Sequence, residues 1–512
     1  MNRRTALQLF AAASAGTLAG RAASGSMLFG GGRSASEPHQ PAVLFRPTWE
    51  SLTTYAPPRW FADAKFGIFF HWGLYSVPAF GNEWYSRNMY QIDRPEYKHH
   101  LATYGPLHTF GYKNFAPMFR AEHWDPDAWV SLFEEAGARY VGIVAEHADG
   151  FSMWNSRVNR WNAVNFGPKR DAVRAMERAV RRRNLKFLTS LHHHWLWGWY
   201  CSQDTTADIY DPANAWMYWP HPYAGKNKGA FNYAHPDPPP SRRFVDVWLN
   251  KVKEVVDGYQ PDVLYFDSRL SIIPEPVRQE VLAYFYNQAE RAGREAVLTY
   301  KGTDLAKGSA VFDTEAGQLK DKADFLWQTD DVLDWDSWAY LQKPNFKSPL
   351  RVIRQLVDIV SKNGNLLLDV GPRPDGTLPE GVITRLRAIG AWLRVNGEAI
   401  CGTRPWNTFG EGPTQVKEGY YAADHNKDFT AQDIRFTTAE RAFYVHILGN
   451  PGPRVHVASI TRDTPLPFGR LREIALLGTP GNLRWQWTPT GLTVDLPGSL
   501  RGEDVLVLRL SA

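Results

Sequence analysis

At 512 residues the chain is longer than one ordinary core can fill, about 250–300 residues, so two domains or one large barrel with an appendage are expected. Hydrophobic residues make up 44%, and 21 Trp, 22 Tyr and 27 Phe exceed what a core requires, which suits flat, partly apolar ligands such as sugar rings. The net charge of +5 excludes little until it is located: Arg3, Arg4, Arg21 and Arg33 lie in residues 1–36 without a single acid, so the remainder is nearly neutral and carries no nucleic-acid footprint.

The first element in chain order is a leader. "NRRTALQLFAAASAGTLAG" places paired arginines before a short apolar segment and small residues, the layout of an export signal of the twin-arginine kind. The apolar stretch is too short to span a membrane, and Gly30–Ser36 reads as a linker. Export to the periplasm or the exterior is the expectation, with residues 1–36 as signal and linker.

Between residues 41 and 400 helix and strand patterns alternate. In "DPDAWVSLFEEAGARYVGIVAEHADG", Asp125 can cap a helix that Pro126 opens and Gly137 closes, and Tyr140–Ala145 is then a short apolar strand. "RDAVRAMERAVRRRNLKFLTSLHHHW" and "RFVDVWLNKVKEVVDGYQPDVLYFD" repeat the design; the "RRR" at 181–183 falls where cations complement a helix end. Strands are expected at 66–70, 140–145, 186–191, 263–266, 295–300, 311–313, 325–328 and 365–370. Eight strands alternating with helices predict an α/β fold, a (β/α)8 TIM-like barrel, with a doubly wound open sheet as competitor. Over 401–512 the texture changes to short strands between Gly/Pro turns, "RFTT", "AFYVHILG", "EIALLG", "LRWQW", "LTVDL" and "VLVLRL", which predicts a C-terminal antiparallel β-sandwich.

Polar residues recur at strand exits: His71 after "FGIFF", Glu146 and His147 after "VGIVA", His192 after "FLTSL", Asp267 after "VLYF". One such residue is usually a turn or cap; four agreeing strands point to the C-terminal mouth of a barrel. Three chemistries compete. Metal hydrolysis is disfavoured, because adjacent residues of "HHH" at 192–194 point to opposite faces and no H-x-H pair accompanies the first strand. Serine hydrolysis lacks a G-x-S-x-G elbow. Paired carboxylates in an aromatic pocket remain, the equipment of glycoside hydrolysis. No metal and no cofactor are expected. Cys201 and Cys401 are the only cysteines, so no disulfide framework exists, and a single bridge between them stays open.

Several long motifs now become specific. "WFADAKFGIFFHWGLYSVPAFGNEWY", "WDPDAWVSLFEEAGARYVGIVAEHADGFSMW", "YQPDVLYFD", "NGNLLLDVGPRPDGTLP" and "AIGAWLRVNGEAICGTRPW" resemble the retaining α-L-fucosidases, glycoside hydrolase family 29, over most of residues 48–406. The resemblance implies that Asp267 is the nucleophile and that Glu315, in "SAVFDTEAGQL", is the general acid/base, with Glu280, Asp313 and Asp330 as rivals. It implies that His71, Glu83, Trp84 and His147 hold the sugar, with His192, Lys301 and Trp338 as further contacts. The chain departs from the family where "EHADGF" stands for a usual "HHDGF" or "HHEGF": Glu146 replaces a histidine, and the expectation is a carboxylate beside the sugar, paired with a cation. The resulting expectation is a retaining exo-α-L-fucosidase acting on fucosylated oligosaccharides or glycoconjugates. A related glycosidase for a similar sugar such as an α-L-galactoside, or an impaired fucose-binding protein, are the alternatives. The sequence leaves the oligomeric state undetermined.

Overall fold

The computed structural model describes residues 44–219, 239–498, 500 and 504–512, so the leader at residues 1–36 lies outside the described residues. Residues from Leu44 onward form one compact unit. Among the described residues no helix is long and apolar enough to cross a membrane.

Eight parallel strands close into a barrel: β1 (Phe66–Phe70), β2 (Tyr140–Glu146), β3 (Lys186–Leu191), β4 (Val263–Phe266), β5 (Val297–Lys301), β6 (Val311–Asp313), β7 (Trp327–Val332) and β8 (Gly364–Val370). Closure is made by β1 against β8, from Phe66 opposite Leu366 to Phe70 opposite Val370. The open-sheet alternative is thereby excluded. Strand alternation sends Phe69, Tyr140, Val144, Leu188, Val263, Tyr265, Val297, Val311, Val332 and Leu367 into the barrel interior. That interior is crowded: a Cβ on Gly67 would stand 2.4 Å from the Tyr140 ring, so β1 can pass beside Tyr140 only without a side chain there.

The outward strand faces pack beneath helices Pro126–Glu135, Ala172–Arg182, Arg242–Tyr259, Glu275–Arg291, Pro349–Ser361 and Glu380–Asn396. The first begins as the sequence suggests, with the Asp125 carboxylate accepting from the Asp127 and Ala128 N–H groups. β5–β6 and β6–β7 are joined without a helix, because neither 302–310 nor 314–326 carries helical periodicity. β5 and β7 begin two residues later than the sequence suggests. β7, "WQTDDV", also runs further, because its polar residues are buried in the barrel wall and interior instead of ending the strand.

Beyond the barrel, β9 (Arg404–Glu411), β10 (Ile434–Ala439), β11 (Ala442–Ile447), β13 (Glu473–Leu476) and β16 (Leu506–Ser511) form a five-stranded antiparallel sheet. β12 (Arg454–Val457), β14 (Trp485–Thr488) and β15 (Gly491–Asp495) form a three-stranded one. Val455, Val457, Leu492 and Val494 of the small sheet share a core with Phe436, Val445, Ile474 and Leu508 of the large one. Buried Arg435 fastens the large sheet to the barrel, its Nε 2.6 Å from Asp358 on the helix Pro349–Ser361. Cys201 and Cys401 are free thiols.

Candidate active site

Period-two alternation carries past the last apolar residue of each strand. β1 continues from Phe69 to His71, β3 from Ser190 to His192, β4 from Tyr265 to Asp267, and β5 ends on Lys301. These side chains meet at the C-terminal mouth in a cavity of about 260 Å³. Glu83, Trp84, His147, Trp195, Ser268, Glu315, Asp330, Trp338, Tyr420 and Tyr421 complete its lining.

Glu146 is the exception. The register between β2 and β3 shifts between Val144 and Glu146, and this extra residue turns the exit of β2 over. His147 therefore enters the cavity, while Glu146 faces the helix Arg242–Tyr259, 2.5 Å from Lys251 Nζ and bonded to Ser152 Oγ. The expected carboxylate beside the sugar is corrected to a fully buried ion pair behind the wall. Burial pushes the Glu146 carboxyl up, and Lys251 opposes this. Removing one partner of such a pair strands a charge, so Lys251→Met is expected to cost about 3–5 kcal/mol, read as a lowered denaturation midpoint. An unchanged midpoint would contradict that role.

Lys301 is the electrostatic centre. Its Nζ lies 3.1 Å from Asp267, 2.7 Å from Glu315 and 3.0 Å from Asp330. A single nitrogen touching both Asp267 and Glu315 keeps their nearest oxygens within about 6 Å, close enough for both to act on one glycosidic bond. The two carboxyls are driven apart. Burial raises Asp267, but Lys301, His194 and the Ser268 N–H more than reverse it, leaving the group below the ordinary aspartate value. Burial also raises Glu315, the Asp267 charge adds to it, and Lys301 and Tyr421 only partly offset them, so Glu315 stays above the ordinary glutamate value. Burial lifts Glu83 to about 7 although the Trp338 N–H donates to it at 3.1 Å.

Burial holds the three cavity histidines toward their neutral form. Burial pulls His147 down to about 4 and holds His71 and His192 well below the usual imidazole value. His71 Nδ1 meets Asp369 at 2.8 Å and His192 Nε2 meets Ser190 Oγ at 2.8 Å, which fixes both rings. Nitrogens of His71, His147 and His192 lie within 4.8 Å of one another, so among the described residues these three could hold a metal ion. His193 and His194 turn away, to the carbonyls of Trp248 and Ser268.

The rivals for the acid separate by position. Glu280 pairs with Lys253 at 2.7 Å on the outer helices, and Asp313 is bonded to Gln328 inside the barrel. Asp330 reaches the cavity but is held by Tyr265 Oη at 2.9 Å and by Lys301. Sequence reasoning did not find Tyr265, Ser268, Asp369, Tyr420 or Tyr421. Tyr265 and Asp369 were within reach, each being two residues beyond an inward Val263 or Leu367. The two tyrosines carried no signal, since they follow β9 and come from the C-terminal part.

Comparison with known proteins agrees with this geometry. The alpha-L-fucosidase family model matches residues 33–398. Human tissue alpha-L-fucosidase is 29% identical over 482 residues, 92% of each chain, and the plasma alpha-L-fucosidase of Pongo abelii is 31% identical over 473 residues, 90% of each. The crystal structure of Thermotoga maritima alpha-fucosidase in complex with fucose superposes with a TM-score of 0.70 at 29% identity, covering 90% of this chain and 99% of that one. With its closed barrel, its carboxylate pair on a shared lysine and these relatives, the chain belongs to the alpha-L-fucosidase family of glycoside hydrolases.

Proposed function

We propose that the protein is a retaining exo-α-L-fucosidase in which Asp267 is the nucleophile and Glu315 the general acid/base. The observation that carries these roles is the opposite displacement of two carboxyls sharing one ammonium: Asp267 is held ionised and Glu315 is held toward its protonated form. An Asp267 oxygen attacks the anomeric carbon while Glu315 gives its proton to the departing glycosidic oxygen, leaving a fucosyl–aspartate ester. The Glu315 carboxylate then takes a proton from water as that water attacks the same carbon, releasing fucose with retained configuration and restoring both groups. His71, Glu83, Trp84, His147, His192, Lys301 and Trp338 supply hydroxyl partners and the aromatic wall that a C5 methyl requires. The small cavity suits a single terminal sugar, hence exo action on fucosylated glycans. Residues 41–400 serve as the catalytic part, 401–512 as the sandwich that completes the rim, and the paired-arginine leader supports export.

The test is hydrolysis of an aryl α-L-fucoside followed by NMR, with α-L-fucose as the first-formed anomer. Because turnover needs Asp267 ionised and Glu315 protonated, kcat/KM is expected to fall as pH drops through the lowered Asp267 pKa and again as pH rises through the raised Glu315 pKa. The proposed steps use no metal, so EDTA is expected to leave the rate intact. An inverted product would reject the scheme.

A further inference from the structure

After β9 the chain returns to the mouth of the barrel. The Tyr421 N–H donates to the Glu315 carbonyl at 2.9 Å and the Ala423 N–H to the Ala316 carbonyl at 2.9 Å. Asn426 Nδ2 donates to Gln318 Oε1 at 2.8 Å, and Gly419 forms a bridge with Gln318. The loop that holds Glu315 is thus laced to 419–426. Tyr421 adopts φ 53°, the left-handed region that a tyrosine occupies only when its surroundings impose it.

That backbone presents two consecutive tyrosines to the cavity. Tyr421 Oη lies 2.5 Å from Glu315 Oε1. Tyr420 extends over the exit of β5, where a Cβ on Gly302 would stand 3.5 Å from its hydroxyl. Tyr420 and Tyr421 are 43% and 45% exposed, whereas Tyr265, Trp195 and Trp338 deeper in the site are buried. Glu315 protonates the leaving oxygen, so exposed aromatic surface beside Glu315 lies on the leaving-group side. A pyranose offers one face of C–H bonds to such a ring, and a hydroxyl rim to water.

We propose that Tyr420 and Tyr421 form a leaving-group subsite contributed by the C-terminal part: Tyr420 is the platform for a pyranose aglycone and Tyr421 a positioning residue for Glu315. This rests on the fucosidase reading above. The charged groups around Glu315 are Lys301 on β5, Asp267 after β4, Asp330 on β7 and Glu83 after β1. Against that background a Tyr421 hydrogen bond stabilises the carboxylate, so its loss makes Glu315 hold its proton to higher pH.

Full-length wild type, Tyr420→Ala and Tyr421→Phe are compared on α-L-fucosyl fluoride, whose leaving group is one atom, and on a fucosyl disaccharide with a pyranose aglycone. For Tyr420→Ala the ratio of disaccharide to fluoride kcat/KM is expected to fall about tenfold. A ratio within about twofold of wild type overturns the platform. For Tyr421→Phe the alkaline limb of the pH profile is expected to move up by about half to one pH unit, and an unmoved limb overturns the positioning role. A wild-type chain inert on both substrates would overturn the fucosidase reading and this subsite with it, a result distinct from wild-type turnover that Tyr420→Ala lowers equally on both.

Discussion

Asp267→Ala is expected to lower aryl α-L-fucoside turnover by roughly three orders of magnitude or more, as removal of a covalent nucleophile does. The protein should still fold, because Asp267 stands at the mouth and Lys301 keeps Glu315 and Asp330 as partners when that carboxylate is removed. Truncation also leaves space beside the anomeric carbon. Azide should enter that space, attack from the face the carboxylate used, and give a fucosyl azide of inverted configuration with partial recovery of rate. Near-wild-type turnover without azide would remove Asp267 from the nucleophile's position. Loss of turnover together with a changed circular dichroism spectrum would point to a structural role instead.

Glu315→Ala should discriminate between leaving groups. A nitrophenolate departs without a proton, whereas a sugar alkoxide does not, so a fucosyl disaccharide is expected to lose about 10²–10⁴-fold and an activated aryl fucoside far less. The variant should also lose the alkaline limb of the pH profile, because the group whose raised pKa defines it is gone. Equal losses on both substrates would move the proton to another carboxyl. Asp330 is then the next to test, since it shares Lys301 and reaches the cavity, whereas Asp313 lies inside the barrel.

Much of this site was legible because a barrel strand is a simple ruler. Once "VLYF" is a strand with Tyr265 facing inward, Asp267 must face inward too, and the same count places His71, His192 and Lys301. The ruler failed where the ladder slipped. A register shift leaves no mark in the identities of Val144, Ala145 and Glu146, so Glu146 and His147 looked equally eligible. It failed again at β7, where buried Thr329, Asp330 and Asp331, beyond the expected strand end at 328, read as a loop to a search for apolar runs. Tyr420 and Tyr421 were hidden for a third reason, since only tertiary docking brings residues so distant in sequence to Glu315. In the C-terminal part, β9 and β12 were also missed, β9 because half-buried positions fill most of it and β12 because only Val455 and Val457 face inward.

The slip in β2 has a consequence for how two neighbours respond to substitution. By separating neighbours in sequence onto opposite sides of one wall, it uncouples the surroundings of one from those of the other. His147 lines the cavity, while Glu146 meets Lys251 and Ser152 on the far side. Substitution at 146 should therefore tell on the stability of the wall through Lys251, and substitution at 147 on the cavity itself.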